Sequence, residues 1–179
     1  MPVNPESFKT ICERIDSFTN DMIELQTLLT AIPAIAPESG GNGEQEKALA
    51  LIRTLQGWGF KGLNSCDAPD DRTTSGVRPN IVYTLQGRNR DHTTWIITHL
   101  DVVPPGELSL WTTDPYRAVV KDGRIFGRGT EDNQQDLVSS IMAARAFLDT
   151  GVTPESSIGL AFVADEETAS LKGLGYLLE

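Results

Sequence analysis

The sequence predicts an α/β domain with a mixed, largely parallel sheet held between helix layers, and three observations carry that prediction. Segments of helical periodicity alternate along the chain with short apolar runs. The runs "NIVYTL", "TWIITHL" and "IGLAFVA" are apolar almost throughout, as strands covered on both faces are. Gly, Pro, Asn and Asp punctuate the junctions. A chain of 179 residues is long enough for one domain with a real core. It contains no internal repeat and no low-complexity segment.

Taken in order, Phe8, Ile11, Ile15, Phe18, Met22, Leu25 and Leu29 fall at alternating steps of three and four, which predicts one long helix ended by Pro33 and Pro37. The Gly-rich "APESGGNGE" leads into a second helix over 44–56, with Ala48, Ile52 and Leu55 on one side and Gly57 and Gly59 as its stop. Strands over 80–85 and 94–100 follow, separated by the polar "QGRNRDH" as a hairpin or a short connection. "YRAVV" and "RIFG" flank Lys121-Asp122-Gly123, and Asp-Gly between strand-like pieces predicts a hairpin. A helix from about 131 to 149 places Leu137, Ile141, Ala144 and Leu148 on one face and stops at Gly151. A strand over 158–164 comes next, and "GLGYLLE" begins another helix.

Composition narrows the function classes. Twenty-five acidic residues against fifteen basic ones give a net charge of -10, which repels a phosphate backbone and argues against nucleic acid as a partner. No run of about 18 apolar residues is present to span a bilayer, and the first residues lack the basic start and apolar stretch of a signal peptide, so no membrane association is expected. Cys12 and Cys66 are too few and too widely spaced for a disulfide framework or a paired-cysteine zinc motif. A cytoplasmic protein is the expectation.

Chemistry is sought where apolar strands end in polar residues, because open α/β sheets collect ligands beyond the C-terminal edges of their strands. "WIITHLD" ends in His99 and Asp101, and "LAFVADEE" in Asp165, Glu166 and Glu167. Residues two apart on a strand share a side, so Asp101 is placed to accept the spare ring N–H of His99, the arrangement that orients a metal-ligating imidazole; a bond to a neighbouring carbonyl is the plainer alternative. Three consecutive acids repel one another, and a divalent cation relieves that repulsion most effectively, although a solvated turn also accommodates them. A third cluster, "GRGTEDN" at 127–133, reads as helix capping, with Thr130 as N-cap and Glu131 and Asp132 opposing the helix dipole. No GxxxxGK[ST], GxGxxG or GxSxG pattern is present, which weakens nucleotide binding and leaves a serine mechanism unsupported.

"HLDVVP", then "GRGTED", then "DEE" closing an apolar strand together resemble the M20 family of co-catalytic zinc peptidases and deacylases, over nearly the whole chain. The resemblance implies a zinc-exopeptidase-like catalytic domain and two divalent metal ions. Zinc suits His with carboxylates, and cobalt or manganese also fit. It implies His99 as ligand of one ion, Asp132 as the bridge, followed by a cis peptide to Asn133, and Glu167 as ligand of the second. The catalytic pair would be Glu166, as general acid/base, and Asp101, as the orienting partner of His99. The stretch from Trp111 to Tyr116 and the following hairpin are similar to the family's approach to its bridging aspartate. The implied reaction is hydrolysis of an amide in an N-acyl amino acid or small peptide, and the full-length protein would be a homodimer.

Two departures accompany the resemblance. After the aspartate many members continue with a hydrophobic residue and lysine, where this chain has Asn133, Gln134 and Gln135. His99, Asp132 and Glu167 alone leave each ion short of ligands. The family supplies a further carboxylate and histidine downstream, together with a lid or dimerisation domain, and His92 lies in the polar turn before its strand, the wrong end for a substitute. Residues 1–179 are therefore expected to be the N-terminal portion of a zinc-hydrolase catalytic domain that binds zinc weakly and hydrolyses essentially nothing alone. The alternative from another class is a naturally short, non-catalytic α/β protein that binds a partner.

Overall fold

The computed structural model describes residues 4–179. Helix α1 (Pro5–Asp16) starts where the Asn4 side chain accepts the backbone N–H groups of Glu6 and Ser7 at 3.0 and 3.1 Å, with proline in the first turn, where no N–H is needed. The single long helix expected from the apolar spacing is two, α1 and α2 (Thr19–Thr30). At the break the backbone N–H and hydroxyl of Ser17 both donate to the Arg14 carbonyl, at 3.2 and 2.6 Å, competing with the helical ladder. Phe18 then turns inward, its ring 4.6 Å from the Arg14 guanidinium and 4.5 Å from that of Arg145. Helical spacing is blind to such a local side-chain competitor, so the correction could not come from periodicity.

Helix α3 (Gln45–Gly57) and the short strands β1 (Asn64–Ser65), β2 (Ala68–Pro69) and β3 (Val77–Arg78) precede β4 (Ile81–Leu85) and β5 (Asn89–His99). The hairpin β6 (Val119–Lys121) and β7 (Arg124–Phe126) closes through Asp122 and Gly123 at φ +52° and +72°, the left-handed pair that Asp-Gly supplies. Helix α4 (Gln135–Thr150), β8 (Ser156–Val163) and the single turn α5 (Leu174–Leu177) complete the chain. Among the described residues no helix is long and apolar enough to cross a membrane.

The main sheet has four strands in the order β1-β4-β8-β5. The α/β class and the mixed sheet stand, but the parallel share is smaller than expected: β5 runs parallel to β8, while β4 is antiparallel to both β1 and β8. An apolar run encodes burial and carries no direction. β4 and β5 form no hairpin, because β8 inserts between them, and part of the polar segment taken as their turn is the start of β5.

The apolar faces of α2, α3 and α4 share one core with Ile81, Tyr83, Leu160 and Phe162 of the sheet. By register, Trp95 and Ile97 of β5 lie on the other face beside Gly159 and Ala161, and they are 49% and 45% exposed. The second helix layer is thus not found over this edge strand among the described residues. Gly159 is required here, since a Cβ would sit 2.3 Å from the Trp95 ring.

Candidate metal centre

The three sequence clusters meet at the C-terminal ends of β5 and β8. Parallel pairing sets His99 beside Val163, so both strands deliver their polar ends to the same rim. The loop before α4 supplies the third component. Its sequence predicted a helix from about 131 capped by Thr130, yet Asp132 has φ −105° and ψ 103°, the Asp132–Asn133 peptide is cis, and regular helix begins only at Gln135. The Thr130 hydroxyl points back, donating to the Gly127 carbonyl at 3.0 Å, and caps nothing. Gly129 makes the turn at φ +81°, where a Cβ would meet Val102 at 2.5 Å; the glycine serves close packing against the strand end.

Asp132 is thereby aimed at His99, whose Nε2 lies 3.1 Å from Asp132 Oδ1. One donor atom each from His99, Asp132 and Glu167 lie within 4.8 Å of one another. These residues are separated by more than thirty positions at each step, so tertiary structure alone assembles them. Glu166 Oε2 stands 3.7 Å from His99 Nε2, with its side chain half exposed.

Asp101 lies beside His99 as anticipated, with a refinement. His99 Nδ1 is 3.0 Å from the Asp101 backbone carbonyl and 3.5 Å from the carboxylate, so the shorter contact is to the main chain. The carboxylate itself accepts the backbone N–H groups of Glu166 and Glu167 at 3.1 and 2.9 Å, tying the 165–167 turn to the end of β5. Burial pushes the Asp101 carboxyl up, but the bonds from His99, Glu167 and Glu166 outweigh it and hold it below the usual range. Burial likewise pushes His99 down, yet Asp101 and Asp132 together carry it up to about 9. For Glu167 burial raises the carboxyl, and Asp132, Asp101 and Glu166 add repulsion against the opposing effect of His99.

The residues fit a divalent cation. One imidazole nitrogen and carboxylate oxygens converge at chelating separation, and Nδ1 is engaged by Asp101, which leaves Nε2 turned toward the other donors. Asp132 and Glu167 also wall a cavity of about 460 Å³ whose lining is mixed, with Val103, Trp111 and Phe126 as its apolar part and Glu131 and Arg128 as further charges, the Arg128 guanidinium 5.4 Å from the Trp111 ring.

Other positions resolve differently. Asp165 was grouped with Glu166 and Glu167 as acids needing a cation, but it is buried and its carboxylate faces Arg78 at 3.5 Å. His92 sits near the N-terminal end of β5, about 23 Å from His99 at the usual rise per residue, and stays outside the group. Asn133 and Gln134, the departures from the family pattern, brace the loop: Asn133 Oδ1 accepts the His99 backbone N–H at 3.1 Å, and Gln134 Oε1 accepts the Thr30 hydroxyl at 3.2 Å. Sequence reasoning missed Glu44, Lys47 and Arg78, each no more than 1% exposed. Nothing in a helix start or a two-residue strand signals that a charge there will be buried.

Residues 95–179 match the model of peptidase family M20/M25/M40. An uncharacterized metallohydrolase of Methanococcus maripaludis is 38% identical over 90% of this chain and 40% of its own length. A succinyl-diaminopimelate desuccinylase of Parvibaculum lavamentivorans is 32% identical over 89% of this chain and 37% of its own. The solved structure of the di-peptidase Dug1p from Saccharomyces cerevisiae superposes with a TM-score of 0.75 at 25% identity, over 92% of this chain and 36% of that one. The chain thus spans about 40% of the length of the relatives it matches. The chain is thus similar to peptidase family M20/M25/M40 in the sequence of residues 95–179 and in fold along most of its length.

Proposed function

We propose that these residues form the larger part of one metal-binding half-site of a hydrolase that cleaves an amide bond in N-acyl amino acids or small peptides. The observation that carries this reading is the convergence of His99, Asp132 and Glu167 within 4.8 Å from three separate parts of the chain. In it His99 would hold one ion and Glu167 a second, with Asp132 shared between them; zinc is the metal best suited to this donor set, and cobalt or manganese would substitute. A bound pair of such ions supplies Lewis acidity, which makes water a competent nucleophile at neutral pH and polarises the scissile carbonyl. Glu166, half exposed beside the donors, takes the proton from the attacking water and returns it to the leaving amine. Asp101 keeps the His99 ring oriented, and its bonds to the 166 and 167 backbone keep the base in register with the ligands. The cavity beside Asp132 and Glu167 receives the acyl group or side chain next to the cleaved bond.

The reading further places the chain in a longer cytoplasmic, dimeric protein whose remaining polypeptide supplies another carboxylate, another histidine and a lid domain. The matched relatives' greater length supports a longer polypeptide. The test is paired: zinc affinity by calorimetry, and hydrolysis of acetyl- and succinyl-amino acids and dipeptides. The 179-residue chain is expected to bind zinc weakly with negligible turnover, and a polypeptide carrying the downstream region to gain both. Submicromolar zinc affinity with deacylase activity in this chain alone would overturn the half-site. Absence of activity in the longer polypeptide would favour a non-catalytic binding protein.

A further inference from the structure

Behind the donor set lies a group of buried charges that the proposed chemistry does not use. The Arg78 guanidinium, on β3, is 0% exposed and forks onto Glu44, which is also 0% exposed, just before α3. Nε donates to Glu44 Oε2 at 2.7 Å and Nη2 donates to Oε1. Nη1 makes no hydrogen bond and faces Asp165 at 3.5 Å and Asp70 at 3.7 Å. Glu44 Oε1 in turn accepts the Asp165 backbone N–H at 3.4 Å, so the ion pair grips both the main chain and the side chain of one residue.

That residue is the hinge of the acidic turn. Asp165 sits at φ +63°, a left-handed conformation that aspartate reaches when its short side chain is hydrogen-bonded locally. Its carboxylate accepts the Thr168 hydroxyl and the Lys172 N–H, the latter at 2.9 Å, and its carbonyl accepts the Ser170 N–H at 2.7 Å. Glu166 and Glu167 follow immediately, with their own N–H groups fastened to Asp101. The turn is therefore anchored in front by Asp101 and behind by Arg78 and Glu44.

We infer that Arg78 and Glu44 are positioning residues, which act through Asp165 to fix the turn from which Glu167 reaches the metal-binding donors. The inference rests on the proposed metal centre. Ligand-supporting residues of this kind typically change metal affinity ten- to a hundredfold when altered, because donor atoms must stay within about half an ångström of productive geometry.

Co²⁺ titration of the whole chain, followed by its visible absorption, tests this. Glu44→Gln is expected to weaken Co²⁺ binding about tenfold and to change the absorption band, which reports ligand geometry. In a Glu167→Gln background the same change should cost less than about twofold, since the ligand it positions is already gone. A general loss of stability would leave the two effects additive, and additivity overturns the inference. If Glu44→Gln lacks the parent's circular dichroism, Thr168→Val decides on the same two criteria, because it releases Asp165 from an exposed position. A parent that binds Co²⁺ while the folded variants bind equally well overturns the inference alone; a parent that takes up no Co²⁺ overturns it together with the metal centre.

Discussion

Asp165 and Glu167 stand two residues apart at the end of the same strand, yet the fold treats their charges in opposite ways. Asp165 is turned inward to Arg78, within a buried set that also contains Glu44 and Asp70. Glu167 is turned outward to Asp132 and Glu166, with His99 opposing their repulsion. The Asp132 side chain is 75% exposed, and its contact to His99 is its only ion pair among the described residues. The inward acids are compensated by protein and act as structure. The outward acids are left under-compensated and free to take a cation, and that difference, rather than acidity itself, marks the site.

Arg78→Met should break the comparison hardest from the inward side. Leaving Glu44 and Asp165 buried without their cation is expected to cost about 3–5 kcal/mol in denaturant unfolding, against a volume-conserving change that removes little packing. Asp132→Asn should do the reverse: stability within about 1 kcal/mol of the parent, with divalent-metal uptake weakened at least about a hundredfold. Were both variants to lose stability equally, inward and outward acids would not be distinct classes.

Lys47 sharpens the inward side. Burial holds its ammonium down to about 8 against the pull of Asp101 and Glu44. Between about pH 8 and 10.5 the unfolded lysine therefore binds more proton than the folded one, and stability from this group rises with pH through that window. Lys47→Met should flatten the rise, by about 3 kcal/mol at most, with little loss at neutral pH. A parent whose stability difference from the variant stays constant over this window would show that the ammonium has found a partner.

The smallest effect belongs to the edge of the cluster. The Asp70 carboxyl is lowered to about 2 chiefly by the Arg72 fork. Its contribution is thus present above the unfolded value near 4 and is lost as pH falls toward 2. Arg72→Gln should lower the neutral plateau slightly while leaving stability near pH 2 little changed, so that the acid limb becomes shallower, as measured by thermal unfolding at stepped pH.

Much of the architecture was legible because its signals are local. Asp122-Gly123 dictates its hairpin, Gly151 ends α4 in the left-handed conformation at φ +69°, and the helix over 44–56 lies within a residue of α3. The misses share a cause in competition that patterns do not register. The Ser17 hydroxyl splits a helix whose apolar spacing runs on unbroken, and the extended backbone of Asp132 defeats a capping pattern that fits Thr130, Glu131 and Asp132. The donors His99, Asp132 and Glu167 were accessible from strand-end position and motif wording. The buried charges Arg78, Glu44 and Lys47 were not, because a charged residue is ordinarily solvated and only the finished packing shows otherwise.

By itself, then, the sequence determined the local elements, the polar endings of β5 and β8, and the chemical types available to a metal. Only the tertiary structure decided that β8 would lie between β4 and β5, parallel to one and antiparallel to the other, and this brings residues 99, 132 and 167 to one rim. It also decided which acids would face Arg78 and which would face each other. The physical reason is one of range: backbone propensity and periodicity act over a few residues, whereas strand order and charge compensation are settled by contacts between segments far apart in the chain.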